Sequence, residues 1–130
     1  MKLLLDTHIL LWYLEGHPNL PDAQRLMIED RRNQVVVSVA SLWEMTIKMS
    51  IGKLDLMDDL ATIEKTLQLQ GIPVLPIQTS HLQHLLSLPF LHRDPFDRLI
   101  IAQAISESMT LVSHDAAFSA YSVSLLPIEG

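Results

Sequence analysis

The feature that most constrains the fold of this chain is a series of short apolar segments that alternate with segments of helical spacing. The apolar segments are residues 2–5, 34–37, 72–75, 110–112 and 123–126. Segments of this length that are rich in Leu, Val and Ile are typical of buried strands. Strands that alternate with helices form right-handed βαβ units, whose parallel sheet is covered by helices on both faces. We therefore predict an α/β fold with a mostly parallel, about five-stranded sheet.

The segments between the predicted strands have the spacing of helices. They are 7–15, 21–32, 38 to about 52, 58–70, 79–88 and 96–108, with a short helical turn at 116–121. We expect the helix over 79–88 to begin at a Thr or Ser cap, and the helix over 96–108 to be the most amphipathic. No repeat, low-complexity tract or linker divides the chain, so residues 1–130 are predicted to form a single domain.

The composition excludes several classes of protein. The chain has no cysteine, which rules out disulfides and thiolate metal sites, and no apolar run approaches the ~18 residues of a membrane helix. The apolar run that ends at Asp6 is too short for a signal peptide, so we expect a cytoplasmic protein with no membrane contact. The formal net charge is −6 and no basic stripe is visible. Binding to nucleic acid would therefore need divalent cations to offset phosphate repulsion.

Acidic residues lie at the predicted carboxyl ends of the strands, where α/β folds bind ligands. Asp6 follows the first strand and Asp115 follows the fourth. Glu44 lies early in the helix after the second strand. Asp97 lies at the start of the helix that leads into the fourth strand, with Asp94 three residues before it. Because these positions converge on one edge of a parallel sheet, we expect the carboxylates to share a cleft.

Carboxylates that share a cleft need compensation for their charge. Two unit charges 4 Å apart repel by about 4 kcal/mol at an effective dielectric constant near 20. Either some of the groups stay protonated or a divalent cation binds among them. The histidines show ligand spacing only at His81 and His84, which we interpret as a solvated helix face. An all-oxygen site favours Mg²⁺ or Mn²⁺ over zinc, and carboxylate-bound Mg²⁺ is typical of phosphodiester hydrolysis.

Each aspartate of this set also has a structural alternative. Asp6 could be the N-cap of the first helix, and Asp94 or Asp97 could cap the helix that follows them. Asp115 could be a turn residue. The placement of the whole set at one sheet edge favours a shared site over separate structural roles.

The alternatives for Glu44 involve its neighbours in the helix. Ser41 and Glu44 have the Ser-x-x-Glu spacing of a capping box, and Lys48 lies at the i,i+4 position for an ion pair. Neither alternative excludes a role for Glu44 in the acidic cleft.

Four sequence blocks carry a resemblance to a known family. They are LLLDTH at 3–8, SVASLWE at 38–44 with Lys48 after it, HRDPFDRLIIAQA at 92–104 and LVSHD at 111–115. In this order and spacing they resemble the PIN-domain ribonucleases, most closely the VapC-like toxins of bacterial type II toxin–antitoxin pairs. The resemblance implies a PIN-like three-layer α/β/α sandwich with an acidic Mg²⁺ or Mn²⁺ pocket. It also implies endoribonuclease activity, a homodimer, and a cognate antitoxin whose C-terminal segment wraps the toxin.

The resemblance also implies roles for individual acids. By motif position, Asp6, Glu44, Asp97 and Asp115 match the acidic quartet of the family, as catalytic residues and metal ligands. Asp94 belongs to the same block as Asp97, and we place it second. The expected reaction is attack by water on an RNA phosphodiester, which leaves a 5′-phosphate and a 3′-hydroxyl.

Several other residues are secondary candidates. Ser113 stands where many members of the family have Thr, and Thr7 follows the first acid. Arg98, Arg93 and Lys48 are the nearest cations that could position a substrate phosphate, although each could equally be a surface charge.

Three other functions have to be weighed, and the residues argue against the first and the third of them. A haloacid-dehalogenase-like phosphatase would need a second Asp two positions after Asp6, where His8 stands. A PIN-fold nuclease that acts on DNA or in RNA maturation would carry the same acids. A non-catalytic antitoxin-binding module would have no need to keep four acids together.

The first helices carry more apolar residues than the surface of a monomer needs. Trp12 and Trp43 lie at the spacing of core residues, yet we expect part of this surface to form a groove for an antitoxin helix or a subunit. The residues concerned are Leu10, Leu11, Trp12, Leu14, Leu42 and Trp43.

Overall fold

The computed structural model describes residues 1–55, 59–91 and 94–126. None of the helices in these ranges is long and apolar enough to cross a membrane. The elements, in chain order, are β1 (Lys2–Leu5), α1 (Thr7–Glu15), α2 (Asp22–Glu29), β2 (Gln34–Ser38), α3 (Val39–Ser50), α4 (Leu60–Leu69), β3 (Val74–Leu75), α5 (Thr79–Ser87), α6 (Pro95–Ser106), β4 (Thr110–Val112) and a 3₁₀ turn (Ala116–Ala120).

The sheet is parallel and lies between two layers of helices. Its strand order is β3-β2-β1-β4, and every pair of neighbouring strands is parallel. Side chains of β1 alternate between the two faces, as the pleat of a strand requires. Leu3 and Leu5 pack in one core cluster with residues of α1, α2 and α4, whereas Leu4 packs in another with residues of α6 and the 3₁₀ turn. The predicted α/β/α sandwich with a parallel sheet is confirmed.

The two outer segments of the predicted sheet are shorter than expected. The segment 72–75 forms a strand only at Val74–Leu75, because the N–H of Ile72 donates to the carbonyl of Leu67 at the end of α4 (2.9 Å). The segment 123–126 forms a single parallel bridge, between Leu125 and Leu111, instead of a fifth strand. The described residues therefore contain four strands and one additional bridge.

Helix boundaries follow the caps that the sequence provides. α1 begins after Asp6 and ends at Gly16, which adopts the left-handed conformation (φ 62°) that glycine tolerates at a helix end. α2 ends at Glu29, three residues before the predicted end. The predicted start of α4 at Asp58 lies outside the described residues, and within them Asp59 caps the helix by accepting from the N–H of Thr62 (2.8 Å).

Three expectations for the helices after β3 are wrong. α5 has Gln78 as its N-cap instead of a Thr or Ser, and the N–H of Gln78 donates to Nδ1 of His81 (3.0 Å). His81 is fully buried because α5 packs against α6, and its Nε2 lies 3.1 Å from Oε2 of Glu107, so only His84 is exposed. α6 is not amphipathic, because its residues 99–104 are all buried, between the sheet and the helices α3 and α5.

Candidate active site

A cavity of about 520 Å³ opens at the carboxyl ends of β1, β2 and β4, where the sequence predicted a cleft. Five carboxylates line it: Asp6, Glu44, Asp94, Asp97 and Asp115. Lys48 and Thr7 also line it. The parallel sheet thus brings all the predicted acids to one place, although residues 6 and 115 are more than a hundred positions apart in the chain.

Asp6 is both the N-cap of α1 and a wall of the cavity. The residue is 4% exposed, and Oδ1 accepts a hydrogen bond from the N–H of Ile9 (2.8 Å) while Oδ2 accepts from Oγ of Ser113 (2.5 Å). Burial raises the pKa of Asp6, and the negative charge of Asp115 acts in the same direction. The hydrogen bonds from Ser113 and Ile9 and the nearby His8 lower it and only partly offset the burial. The site therefore holds a carboxylate that would gain from a positive charge beside it.

Ser113 connects the ends of two neighbouring strands. Its hydroxyl donates to Asp6, after β1, and accepts from the N–H of Asp115, after β4 (3.0 Å). The side chain of Ser113 is 4% exposed. One hydroxyl therefore fixes the spacing between two of the acids, which accounts for a hydroxyl residue at this position.

Glu44 is held by an ion pair and has one oxygen with no partner. Its side chain is nearly buried, and Oε2 lies 3.0 Å from Nζ of Lys48, which is half-exposed. Oε1 is buried and accepts no hydrogen bond from any described residue. The ion pair with Lys48 is thus confirmed. The buried, unpartnered oxygen is costly unless a cation or a bound molecule satisfies it.

The capping-box alternative for Glu44 is wrong. Ser38 is the N-cap of α3, so Ser41 lies inside the helix and cannot cap it. The hydroxyl of Ser41 instead accepts a buried hydrogen bond from Oγ1 of Thr7 (3.0 Å). Thr7 and Ser41 therefore join the start of α1 to α3 beside the cavity.

Two of the remaining acids, Asp94 and Asp115, combine capping with a position on the cavity wall. Asp94 is the N-cap of α6, where Oδ1 accepts from the N–H groups of Phe96 (2.8 Å) and Asp97 (3.2 Å). Asp115 caps the 3₁₀ turn by accepting from the N–H of Ala117 (2.9 Å). Asp97 lies in the first turn of α6 and is half-buried. The side chains of Asp94 and Asp115 are fixed in direction by the local backbone. The metal-binding roles of all three aspartates stay predictions.

The three candidate phosphate-contacting residues have different positions. Lys48 lines the cavity. The guanidinium of Arg98 instead donates to the carbonyl of Pro89 (3.1 Å) and lies 4.5 Å from the ring centre of Phe90, and Arg98 is not among the described residues that line the cavity. Arg93 lies outside the described residues. This placement favours Lys48 over Arg98 for contact with a substrate phosphate.

Four cavity residues were not predicted as part of the site: His8, Leu11, Trp12 and His114. Trp12 is partly buried against the core, as its spacing predicted, but its ring also contacts those of His8 (5.4 Å between ring centres) and His114 (5.1 Å). The argument that placed the acids at the carboxyl ends of the strands would also have placed both histidines there, since each lies within two residues of Asp6 or Asp115.

The expected apolar groove over the first helices is largely absent from the surface. Leu10 and Leu42 are buried in the core, and Leu11, Trp12 and Leu14 are partly buried against the same core. Only Trp43 is exposed (55%), and its ring packs against that of Phe96 at 4.9 Å, so its assignment to the core is also wrong. The reason is that the face of the sheet with Leu3 and Leu5 needs apolar cover, which these leucines supply.

The donors of the cavity fit Mg²⁺ or Mn²⁺ in their chemistry. They are carboxylate oxygens, the ligands that these cations prefer. One of them, Oε1 of Glu44, is buried without a partner. Burial also disfavours the charged form of Asp6, which a bound cation would stabilise. No three His, Asp or Glu side chains of the described ranges stand close enough together to hold a metal ion as they are placed. A cation would therefore have to draw the carboxylates toward one another.

Comparisons with known proteins agree with this architecture. A model of the PIN domain family matches residues 3–123. Similar solved structures include VapBC2 from Rickettsia felis bound to a DNA fragment from their promoter (TM-score 0.72, 19% identity, covering 97% of this chain and 98% of that chain). Others are VapBC-1 from nontypeable Haemophilus influenzae (TM-score 0.68, 18% identity, 100% of both chains) and a toxin–antitoxin complex from Klebsiella pneumoniae (TM-score 0.65, 16% identity, 96% of both chains). No curated protein sequence matches the chain.

Proposed function

The chain belongs to the PIN domain family, and from this premise we propose that it is a divalent-metal-dependent endoribonuclease that acts as the toxin of a toxin–antitoxin pair. PIN domains are in general nucleases, which supports hydrolysis of phosphodiester bonds. The observation that carries the proposal is the cavity at the sheet edge, which five carboxylates line, one of them (Glu44) with a buried and unpartnered oxygen.

The residues proposed to hold the metal are Asp6, Glu44, Asp97 and Asp115, with Asp94 as the second candidate from its block. When bound, Mg²⁺ or Mn²⁺ supplies a Lewis acid that lowers the pKa of water and offsets the charge of the phosphate. The chain itself is acidic, with a net charge of −6, so this compensation is needed before an RNA phosphate can approach the carboxylates.

The chain's own groups prepare the carboxylates for this role. The hydroxyl of Ser113 and the N–H of Ile9 donate to the two oxygens of Asp6, and these bonds favour its ionised form against the effect of burial. Lys48 holds one oxygen of Glu44 and leaves the other unpartnered. With its half-exposed ammonium on the cavity wall, Lys48 can also contact a substrate phosphate. Attack by water, with departure of the 3′ oxygen, leaves a 5′-phosphate and a 3′-hydroxyl.

The proposed partners are RNA, a cognate antitoxin and a second copy of the chain. The antitoxin is supported by the similar solved structures, one of which is a toxin–antitoxin complex. Trp43 and Ile47 of α3 and Ile51 at its C-cap are exposed apolar residues that recur every four residues and form a stripe on one side of the helix, which supports a contact with a partner. Cytoplasmic location is part of the same proposal.

The test is a cleavage assay on single-stranded RNA and on DNA of the same sequence, with Mn²⁺ or with EDTA, for the wild type and Asp97→Asn. We expect cleavage of RNA that requires Mn²⁺, is lost in the variant, and leaves 5′-phosphate ends that a ligase accepts. Preferential cleavage of DNA would favour a DNA-directed nuclease. Absence of cleavage, together with tight binding of the product of the adjacent gene, would favour a non-catalytic binding module.

A further inference from the structure

Aromatic rings form one side of the acidic cavity. His8, Trp12 and His114, which we call the ring wall, line the same space as the five carboxylates. The indole of Trp12 lies at the centre, with the ring of His8 tilted beside it at 5.4 Å and that of His114 edge-on at 5.1 Å. These distances and angles are typical of packed aromatic pairs, so the three rings support one another.

The packing of the core does not account for the two imidazoles. Trp12 packs against the core, but His8 is exposed and buries little apolar surface. Nε2 of His114 is buried and has no hydrogen-bond partner in the part of the chain that the structure describes. A buried polar atom without a partner has a cost, which a bound molecule can repay by forming the missing hydrogen bond. Both features indicate that the ring wall faces a ligand.

We propose that the ring wall binds a nucleobase of single-stranded RNA next to the phosphodiester that is cleaved; this inference rests on the proposed function. Single-stranded RNA is recognised by stacking its bases on aromatic rings, and stacking does not depend on charge. An acidic chain cannot derive its affinity from phosphate contacts alone. His8 supplies the exposed ring for stacking, Nε2 of His114 supplies a polar group for the edge of the base, and Trp12 positions both imidazoles. The cavity volume of about 520 Å³ lies within the range of small-molecule sites.

The test uses the fluorescence of Trp12 in the double variant Trp43→Phe, Asp97→Asn. The chain has two tryptophans, so Trp43→Phe leaves Trp12 as the single indole, and Asp97→Asn is expected to stop cleavage during the titration. The probes are a pool of single-stranded RNA octamers of random sequence and an abasic ribose-phosphate octamer of equal charge, both with Mg²⁺. We expect the RNA pool to change the fluorescence of Trp12 and to bind at least about fivefold more tightly than the abasic oligomer.

Further variants assign the effect to the ring wall. We expect His8→Ala to weaken binding of the RNA pool by about five- to tenfold and to leave binding of the abasic oligomer unchanged, and His8→Phe to restore binding of the pool. His17→Ala is the matched control, because His17 stacks on Trp12 (5.7 Å) but does not line the cavity. His17→Ala should weaken binding of the RNA pool by less than twofold.

The outcomes separate this inference from the proposed function. Equal affinity for the RNA pool and the abasic oligomer would overturn the base-binding role of the ring wall, even if the wild type cleaves RNA. Equal losses in His8→Ala and His17→Ala would also overturn it, since a general disturbance of Trp12 would then explain both. Base-dependent binding by a chain that cleaves no RNA would support the ring wall and contradict the proposed ribonuclease activity.

Discussion

Replacement of Glu44 by Gln should separate the role of this residue in the fold from its role in the site. Gln has nearly the same shape as Glu, but it lacks the negative charge that a divalent cation requires. Oε2 of Glu44 accepts from Nζ of Lys48, and the amide oxygen of Gln can still accept that hydrogen bond. The amide NH2 group of Gln then takes the place of Oε1, the oxygen that is buried without a partner.

The contacts of Glu44 set the size of the expected changes in Tm and in cleavage. An i,i+4 ion pair with one half-exposed member contributes about 0.3–0.5 kcal/mol to the free energy of unfolding. Removal of a charge from a nearly buried position offsets part of that loss. We therefore expect the Tm of the metal-free protein to change by less than about 2 °C. Cleavage should fall by at least about 100-fold, because loss of even an outer partner of a metal ligand costs 10- to 100-fold.

The assay combines thermal unfolding in EDTA with cleavage of single-stranded RNA in Mn²⁺. Glu64→Gln is the matched control, because Glu64 is an exposed glutamate on α4 outside the acidic cavity. It should leave both Tm and cleavage unchanged. Normal cleavage by Glu44→Gln would refute the reasoning and reduce Glu44 to the ion pair with Lys48. A fall in Tm of 5 °C or more would show that the charge stabilises the fold.

Three more predictions follow from the contacts around the cavity. Asp97→Asn should reduce metal-dependent cleavage at least tenfold more than Asp94→Asn, because Asn at position 94 keeps an oxygen that can cap α6. The cleavage rates of the two variants check this, and the reverse order would mean that Asp94 is the metal ligand. Ser41→Ala should cost about 1–3 kcal/mol in urea unfolding, because it leaves the buried hydroxyl of Thr7 without its acceptor, and an unchanged midpoint would contradict this. Since burial raises the pKa of Asp6, the folded metal-free protein binds this proton more tightly than the unfolded chain. The contribution of Asp6 to stability should therefore be complete below pH ~3.8 and lost as the pH rises through the higher folded pKa; Asp6→Asn should remove this dependence from pH-resolved melting curves.

Elements with local signals could be predicted to the residue. β1 and α1 have the predicted bounds, because a leucine run, the cap Asp6 and the terminator Gly16 all act within a few residues of the chain. The ends of the sheet could not be predicted in this way. The N–H of Ile72 is taken by a carbonyl of α4, and the pairing near Leu125 depends on β4; both are decided by tertiary contacts.

The same distinction holds for the site. The position of the acids follows from a general property of parallel sheets, so the sequence was enough to place them at one edge. The partner of Ser41 is Thr7, 34 residues away, and the local capping pattern pointed to Glu44 instead. His81 has a spacing that suits a solvated helix face, but the packing of α5 against α6 buries it. Long-range packing of this kind leaves no signature in a single sequence.

The ring wall was not predicted because the helical spacing of Trp12 is the same for a residue that packs in the core and for one that also contacts the cavity. The helical spacing of Trp12 is expected for a core residue, and Trp12 does pack against the core. Its second role, contact with the rings of His8 and His114, depends on the register of β1 beside β4. Spacing along one helix cannot reveal a cluster that two strand ends assemble.

The central claim is that the carboxylates of the sheet edge bind a divalent metal, and calorimetric titration of Mn²⁺ into the wild type and Asp6→Asn tests it most directly. We predict saturable binding to the wild type at millimolar Mn²⁺ or below, with a matching rise in Tm by mass action. Asp6→Asn should bind at least tenfold more weakly. Absence of binding to the wild type at millimolar Mn²⁺, or equal binding by Asp6→Asn, would contradict the account.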